Sequence, residues 1–277
     1  VVKKVLVVGG GPAGLEAARV AAERGHRVTL VEAGPRLGGA FRLAGLQPRR
    51  TQILELLDWY ERQLSQLGVE LRLNTPLDAD DVQAFGADQV IVATGSQPAG
   101  TGFQRGLPQQ EAIEGVTRPN VWSVEDVMGR LAKPGKQVLL VDDTGDWRGG
   151  GTAWHLAELG HQVTVVTSWP MLGFWIQRTA GDGKLRARLA QLGGRCLTES
   201  AVVSWQGDSA TVRNLLDGSE QTLAADALVL AGTNLSQDNL ALELAGSGLA
   251  VEPVGDAVAA RLAVHAIYEG RVAGMQV

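Results

Sequence analysis

"KKVLVVGGGPAGLEAARVAAERGHRVTLVEAGPRLGGAF", Lys3 to Phe41, decides the fold. Val5 to Val8 form a continuous aliphatic run, the pattern of a parallel strand covered on both faces. Gly9, Gly11 and Gly14 follow directly as G-x-G-x-x-G, and Leu15 to Arg24 have high helix propensity. Gly25 stops that helix, and Val28 to Val31 make the next strand. In this order the glycines carry meaning: Gly9 for a tight turn, Gly11 for backbone approach to a pyrophosphate, Gly14 for helix–strand packing. The helix N-terminus then offers unpaired N–H groups and partial positive charge to the phosphates. Glu32 stands 23 residues past Gly9, at the end of the second strand. A carboxylate there accepts hydrogen bonds from an adenosine ribose and repels a 2′-phosphate, so the expected nucleotide is FAD, ADP or NAD rather than NADP.

A second copy of the unit lies about 135 residues on. "AAERGHRVTLVEA" (Ala21 to Ala33) aligns with "LAELGHQVTVVTS" (Leu156 to Ser168), pairing Gly25 with Gly160 and His26 with His161. Two related nucleotide-fold domains are expected, and the matched histidines read as turn residues. The copies differ where phosphate chemistry lives. Asp142, Asp143 and Asp146 replace glycines, the loop is two residues longer, and Thr167 replaces the terminal acid. Carboxylates at a helix N-terminus repel a pyrophosphate, so ordinary NAD(P) binding is not expected here. Asp142 and Asp143 read as solvated helix-capping acids. A site rebuilt on Arg148 and Gly149-Gly150-Gly151 is the alternative.

Composition narrows the class. A net charge of −5 gives no reason to expect nucleic acid or an anionic membrane as partner. No apolar run reaches the about 18 residues of a membrane helix, so the chain reads as cytoplasmic. One cysteine, Cys196, excludes an internal disulfide or a cluster held by this chain's cysteines alone, and reads as a small core residue. Thr51 to Leu67 is amphipathic, "VELRLNT" (Val69 to Thr75) reads as a strand, and residues 99 to 120 as loop. "ADQVIVATGSQP" (Ala87 to Pro98) and "ADALVLAGTN" (Ala225 to Asn234) are matching strands of the two copies. Gly255-Asp256 turns into a last helix expected from about Ala257 to Ala273.

These motifs together resemble the two-dinucleotide-domain flavoproteins of the disulfide-reductase type. "FGADQVIVATGS" (Phe85 to Ser96) and "PNVWSVEDVM" (Pro119 to Met128) are similar, more narrowly, to the C-terminal half of the trimethylamine dehydrogenase and 2,4-dienoyl-CoA reductase family. The resemblance implies an α/β chain of two Rossmann-like (FAD/NAD(P)-binding) domains, the second inserted in the first. Residues 1–130 plus 245–277 would bind FAD or ADP, and 131–244 would form the degenerate NAD(P)-binding-like domain. Gly9, Gly11, Pro12, Ala13 and Gly14 would hold the pyrophosphate, and Glu32 with Ala33 the adenosine ribose. Arg36 and Gly39 would lie along the phosphate–ribityl side, and Thr75 and Leu77 near the adenine. Ala93, Thr94 and Gly95 would pack over the nucleotide, and Gly255-Asp256 would meet the ribityl chain. On its own residues, Asp256 reads as an ordinary helix N-cap, and only the motifs upstream point to the ribityl chain.

Family members usually carry a flavin-bearing barrel and a cysteine-bound iron–sulfur cluster. The resemblance therefore implies an FAD-binding oxidoreductase module of a larger dehydrogenase, acting on amines or N-methyl compounds. Its expected partner is a subunit bearing those parts, or an electron-transfer protein. Two alternatives stand beside it: a non-redox scaffold holding ADP, and an NADH-dependent flavin reductase. Trp147, Trp154, Trp169 and Trp175 crowd the second copy and read either as filling its emptied cleft or as a docking surface. No residue shows catalytic chemistry by its pattern, and no metal site is expected.

Overall fold

The run at the start of the chain becomes β1 (Lys4–Val8), and its alternation sorts the two faces. Val5 and Val7 enter one apolar cluster, Leu6 and Val8 another, all nearly or fully buried. A strand covered on both faces must be apolar at every position. Next come α1 (Pro12–Glu23), β2 (Arg27–Val31), α2 (Gly39–Gly45), α3 (Gln52–Gln66), β3 (Glu70–Arg72), α4 (Ala79–Phe85), β4 (Gln89–Val92) and β5 (Ser96–Pro98). The chain continues through β6 (Val121–Ser123), α5 (Val124–Met128), β7 (Gln137–Asp142), α6 (Trp147–Glu158), β8 (Gln162–Thr167), α7 (Asp182–Gln191) and β9 (Arg195–Leu197). Three antiparallel strands follow, β10 (Ser200–Trp205), β11 (Ser209–Asn214) and β12 (Glu220–Ala224), then β13 (Ala227–Ala231). It ends with β14 (Asn234–Ser236), α8 (Asn239–Glu243), β15 (Val251–Pro253) and α9 (Ala263–Gln276).

This computed structural model describes all 277 residues, in two units. The first comprises residues 1–45, 50–97 and 234–277; the second comprises 46–49 and 98–233. The fold is α/β, and the second unit interrupts the first along the chain. Each contains a five-stranded parallel sheet, ordered β15-β4-β1-β2-β3 in the first and β6-β13-β7-β8-β9 in the second. The repeat is visible in the register. Lys4 pairs with Arg27, 23 residues on, and Gln137 with Gln162, 25 residues on, which recovers the two-residue insertion.

Several boundaries differ from the sequence reading. Residues 98–130 pack with the second unit rather than the first, because β6 hydrogen-bonds to β13. Residues 234–244 pack with the first, where Leu240 and Leu244 join the cluster containing Leu6 and Val90. The strand expected over Val69 to Thr75 is only three residues long. Gly255–Ala257 is a 3₁₀ turn, and α9 begins six residues later than expected. Cys196 is exposed on β9, an edge strand, rather than in the core. Both histidines are turn residues as read: His26 Nδ1 accepts from the Lys3 N–H, and His161 Nδ1 meets the Gly135 carbonyl.

Helix α1 carries a buried polar network on one side. Arg19 donates to both oxygens of Glu16 at 2.8 and 2.9 Å, and the Tyr60 hydroxyl donates to Glu16 at 3.1 Å. Burial alone would raise the Glu16 pKa, but Arg19, Tyr60 and Arg271 together hold it below the usual carboxylate range. Removing Arg19 would leave the buried Glu16 charge with only one cationic contact, the longer one to Arg271 at 3.4 Å. Arg19→Met is expected to destabilise the protein by about 3 kcal/mol, and Tyr60→Phe by about 1 kcal/mol, in denaturant unfolding. Equal stability of Arg19→Met and the parent chain would contradict this account.

Candidate functional site

The three fingerprint glycines do different jobs. Gly9 has φ +108°, and a Cβ there would lie 2.3 Å from the Ala93 carbonyl oxygen. At Gly14 a Cβ would lie 1.9 Å from the Gly9 carbonyl oxygen, so α1 rests directly on the turn. Gly11 is the opposite case: nothing stands within 4 Å of where its Cβ would be. It is the N-cap of α1, no side chain caps that end, and the first turn holds no acid. Pro12, at the first helical position, has no N–H to satisfy. The result is a helix N-terminus with no side-chain cap and with open space beside Gly11.

Glu32 faces this turn with its carboxylate fixed. Its Oε2 accepts from the Gly10 N–H and its Oε1 from the Gly34 N–H, both at 2.7 Å. The Gly38 N–H donates to the Gly10 carbonyl at 2.7 Å, folding the following loop against the turn. Gly39 comes beside Gly11, whose Cα lies 3.7 Å from the position of a Gly39 Cβ. Ala33 and Arg36 are solvent-exposed.

The remaining expected residues are distributed as follows. The Thr75 N–H donates to the Glu32 carbonyl at 3.0 Å, which ties it to the same corner. Leu77 is half-buried and packs against the apolar cluster of Leu6, Val8 and Val82. Ala93 lies against Gly9, while Thr94 Oγ1 and the Gly95 carbonyl bond the backbone of Gln237. Gly255 abuts Ala13, with 2.8 Å between a Cβ placed there and the Ala13 Cβ. The fold thus gathers Gly9, Gly11, Ala13, Gly14, Glu32, Gly39, Ala93 and Gly255 around the C-terminal ends of β1, β2 and β4. Sequence reasoning missed Gly10, Gly34 and Gly38, whose backbone groups orient Glu32 and close the loop; "GGG", "AGP" and "LGG" were the available signals.

The corresponding place in the second unit is filled from within. Asp142 and Asp143 are 0% and 2% exposed, which corrects their reading as solvated capping acids. Asp146 is the cap, accepting from the Arg148 N–H at 2.8 Å. Asp142 Oδ1 accepts from Thr144 Oγ1 and the Gly145 N–H, both at 2.9 Å, while Oδ2 is buried without a hydrogen-bond partner. Burial above all, reinforced by the charges of Asp146 and Asp143, pushes its pKa up to about 7 against those two hydrogen bonds. Burial also raises Asp143, opposed by the Arg105 N–H and guanidinium.

Further side chains pack around the loop. The Trp169 ring covers Gly145 and donates from Nε1 to the Asp143 carbonyl at 3.1 Å. Phe174 stacks on Trp169, with 4.9 Å between ring centroids. Gly149, Gly150 and Gly151 face Asp142, Leu185 and Gln47, each with a side-chain atom within 2.5 Å of the missing Cβ. The triple glycine therefore accommodates protein atoms. A cavity of about 370 Å³ lined by Thr101, Phe103, Trp122 and Arg148 persists in this unit. There Arg148 pairs with Glu125 at 2.7 Å and donates to the Gly232 carbonyl. Thr167, in place of the terminal acid, donates to the Asp142 carbonyl. Trp154 is buried in the core of this unit, while Trp175 is 38% exposed.

No group of three or more His, Cys, Asp or Glu side chains is placed to hold a metal ion. No helix is long and apolar enough to cross a membrane.

Among solved structures, the chain is similar to 6-hydroxypseudooxynicotine amine oxidase from Pseudomonas geniculata N1, at 35% identity and TM-score 0.94 over 99% of this chain and 42% of that one. Histamine dehydrogenase from Rhizobium sp. 4-9 superposes with TM-score 0.91 at 30% identity, over 100% and 44%. N,N-dimethylglycine/sarcosine dehydrogenase of Chromohalobacter salexigens is 43% identical over 165 residues, 60% of this chain and 23% of that protein. The chain thus spans less than half the length of these relatives, and the resemblance to enzymes of the trimethylamine dehydrogenase type holds. Residues 3–259 match the family described as pyridine nucleotide-disulphide oxidoreductase. With a glycine turn and fixed acid in one unit, a filled copy in the other, and that match over most of its length, the chain belongs to the pyridine nucleotide-disulphide oxidoreductase family.

Proposed function

We propose that the first unit binds FAD and that the chain is the electron-transferring module of a larger dehydrogenase acting on amines or N-methyl compounds. The observation that carries this reading is the pairing of an uncapped helix N-terminus open at Gly11 with a Glu32 carboxylate already held by two backbone N–H groups. The residues fit the group: N–H donors of the first turn of α1 for a pyrophosphate, Glu32 for the adenosine ribose, and Asp256 for the ribityl chain. Bound FAD would supply an isoalloxazine able to take up and release electrons singly or in pairs. The chain's own part is to hold and orient it. Substrate oxidation, and the flavin barrel and iron–sulfur cluster that the resemblance implies, belong to a partner or further domain, since one cysteine cannot ligate such a cluster. An electron-transfer protein is the natural acceptor, and the lone thiol suits the cytoplasm.

In this reading NAD(P) has no site in the second unit, because Asp142, Trp169 and Gln47 fill the place of its phosphates. That argues against a self-sufficient NADH-dependent flavin reductase. ADP alone in the first unit would make the chain a scaffold. The visible spectrum of the purified chain, with chromatography of the nucleotide released on denaturation, separates the two. We expect a yellow protein releasing FAD. A colourless protein releasing ADP would replace this reading with the scaffold.

A further inference from the structure

Asp256 does not cap a helix. Helix α9 begins at Ala263 with Leu262 as its N-cap, so the ordinary reason for an acid after glycine does not apply. The carboxylate is instead built into a chain of hydrogen bonds within the first unit. Asn234 Nδ2 donates to Ser96 Oγ at 3.2 Å, and Ser96 Oγ donates to Asp256 Oδ2 at 2.8 Å. Asp256 Oδ1 accepts from the Arg261 N–H at 3.1 Å. The surrounding turn is braced as well: Arg261 pairs with Glu269, whose other oxygen accepts from the Gly255 N–H at 2.9 Å.

The direction of this chain follows from the donor inventory. An amide NH₂ can only donate, so the Ser96 oxygen accepts from Asn234, and its single proton is committed to Asp256. Ser96 and Asn234 lie on β5 and β14, which pair with each other although 138 residues apart in sequence. Each carboxylate oxygen of Asp256 spends one lone pair on a protein donor and keeps another. Half-buried and fixed at both oxygens, it is a preset acceptor for a hydroxyl group, and an acceptor held before binding loses little entropy when its ligand arrives.

We propose that Ser96 and Asn234 are positioning residues that fix Asp256 to accept from a polyol hydroxyl, and that they thereby select FAD over ADP. The inference rests on the reading that the first unit binds FAD. Its selectivity comes from chemistry: FAD and ADP share the adenosine and pyrophosphate, and only FAD carries a ribityl chain.

The test is equilibrium titration of the nucleotide-stripped chain with FAD and, separately, with ADP. Ser96→Ala is expected to weaken FAD roughly tenfold, about 1.4 kcal/mol, and to leave ADP unchanged. Asn234→Ala shows the same split, and Ser96→Thr, which restores the hydroxyl, recovers FAD affinity. Equal losses for FAD and ADP would mean general damage and overturn the proposal, as would a Ser96→Ala protein with unaltered FAD affinity. Parent chain that binds ADP as tightly as FAD would overturn the FAD reading itself, before any variant is made, and this inference with it.

Discussion

Gly11→Val is expected to empty the first unit of nucleotide while leaving its fold intact. The position is extended, φ −75° and ψ −178°, which valine adopts freely, and a Cβ there meets nothing within 4 Å. The isopropyl group would stand in the open space above α1, where pyrophosphate oxygens must approach the N–H groups. Blocking that approach should cost at least about 100-fold in FAD affinity, roughly 2.7 kcal/mol. Thermal unfolding of the nucleotide-free variant should match that of the nucleotide-free parent, a comparison that removes the stabilisation ligand itself provides. Gly14→Val makes the contrast. Its Cβ would fall 1.9 Å from the Gly9 carbonyl, so this variant should lose several kcal/mol of stability along with the nucleotide. Full FAD affinity in Gly11→Val would place the ligand elsewhere.

The second large effect concerns Asp142 and pH. Its folded pKa of about 7 lies above the ordinary 3.8, so the native state binds this proton more tightly than the unfolded chain does. Below pH 4 both states are protonated and the residue costs nothing. As pH rises from 4 to 7 the unfolded chain ionises first and stability falls; above 7 the whole cost, about 4 kcal/mol, is present. Asp142→Asn keeps the shape and the acceptor for Gly145 without the charge. Its stability at pH 8 should exceed the parent's by roughly 2 to 4 kcal/mol, shrinking to within about 1 kcal/mol at pH 4. Unfolding curves of the two proteins at several pH values check this. Parallel pH profiles would show that Asp142 titrates normally.

The legible part of this protein was local and periodic. The glycines, Glu32 at the strand end, and the matching Gly25-His26 and Gly160-His161 turns lie within two short stretches whose geometry is set by near neighbours in sequence. They were enough to expect two units of one type and to notice that the second had lost its phosphate chemistry. What escaped was set by distant residues. Burial of Asp142 and Asp143 depends on Trp169 and Arg105, and the filling of Gly151 on Gln47, more than 100 positions away. The unit boundary moved because β6, three residues long, finds its partner in β13 about a hundred residues later. The antiparallel β10-β11-β12 sheet was signalled by Asp217-Gly218, a hairpin dipeptide between strand-like runs, yet stood outside the repeat.

The opening difference between the two copies is where the account is most exposed. Calorimetric titration of the stripped chain with FAD and, in parallel, with NADH and NADPH measures both units at once. The account predicts one FAD bound per chain and no binding heat from either nicotinamide nucleotide. Tight NADH binding by the unaltered chain would mean that Asp142, Trp169 and Gln47 yield to a ligand, and that the second unit is a working nucleotide site.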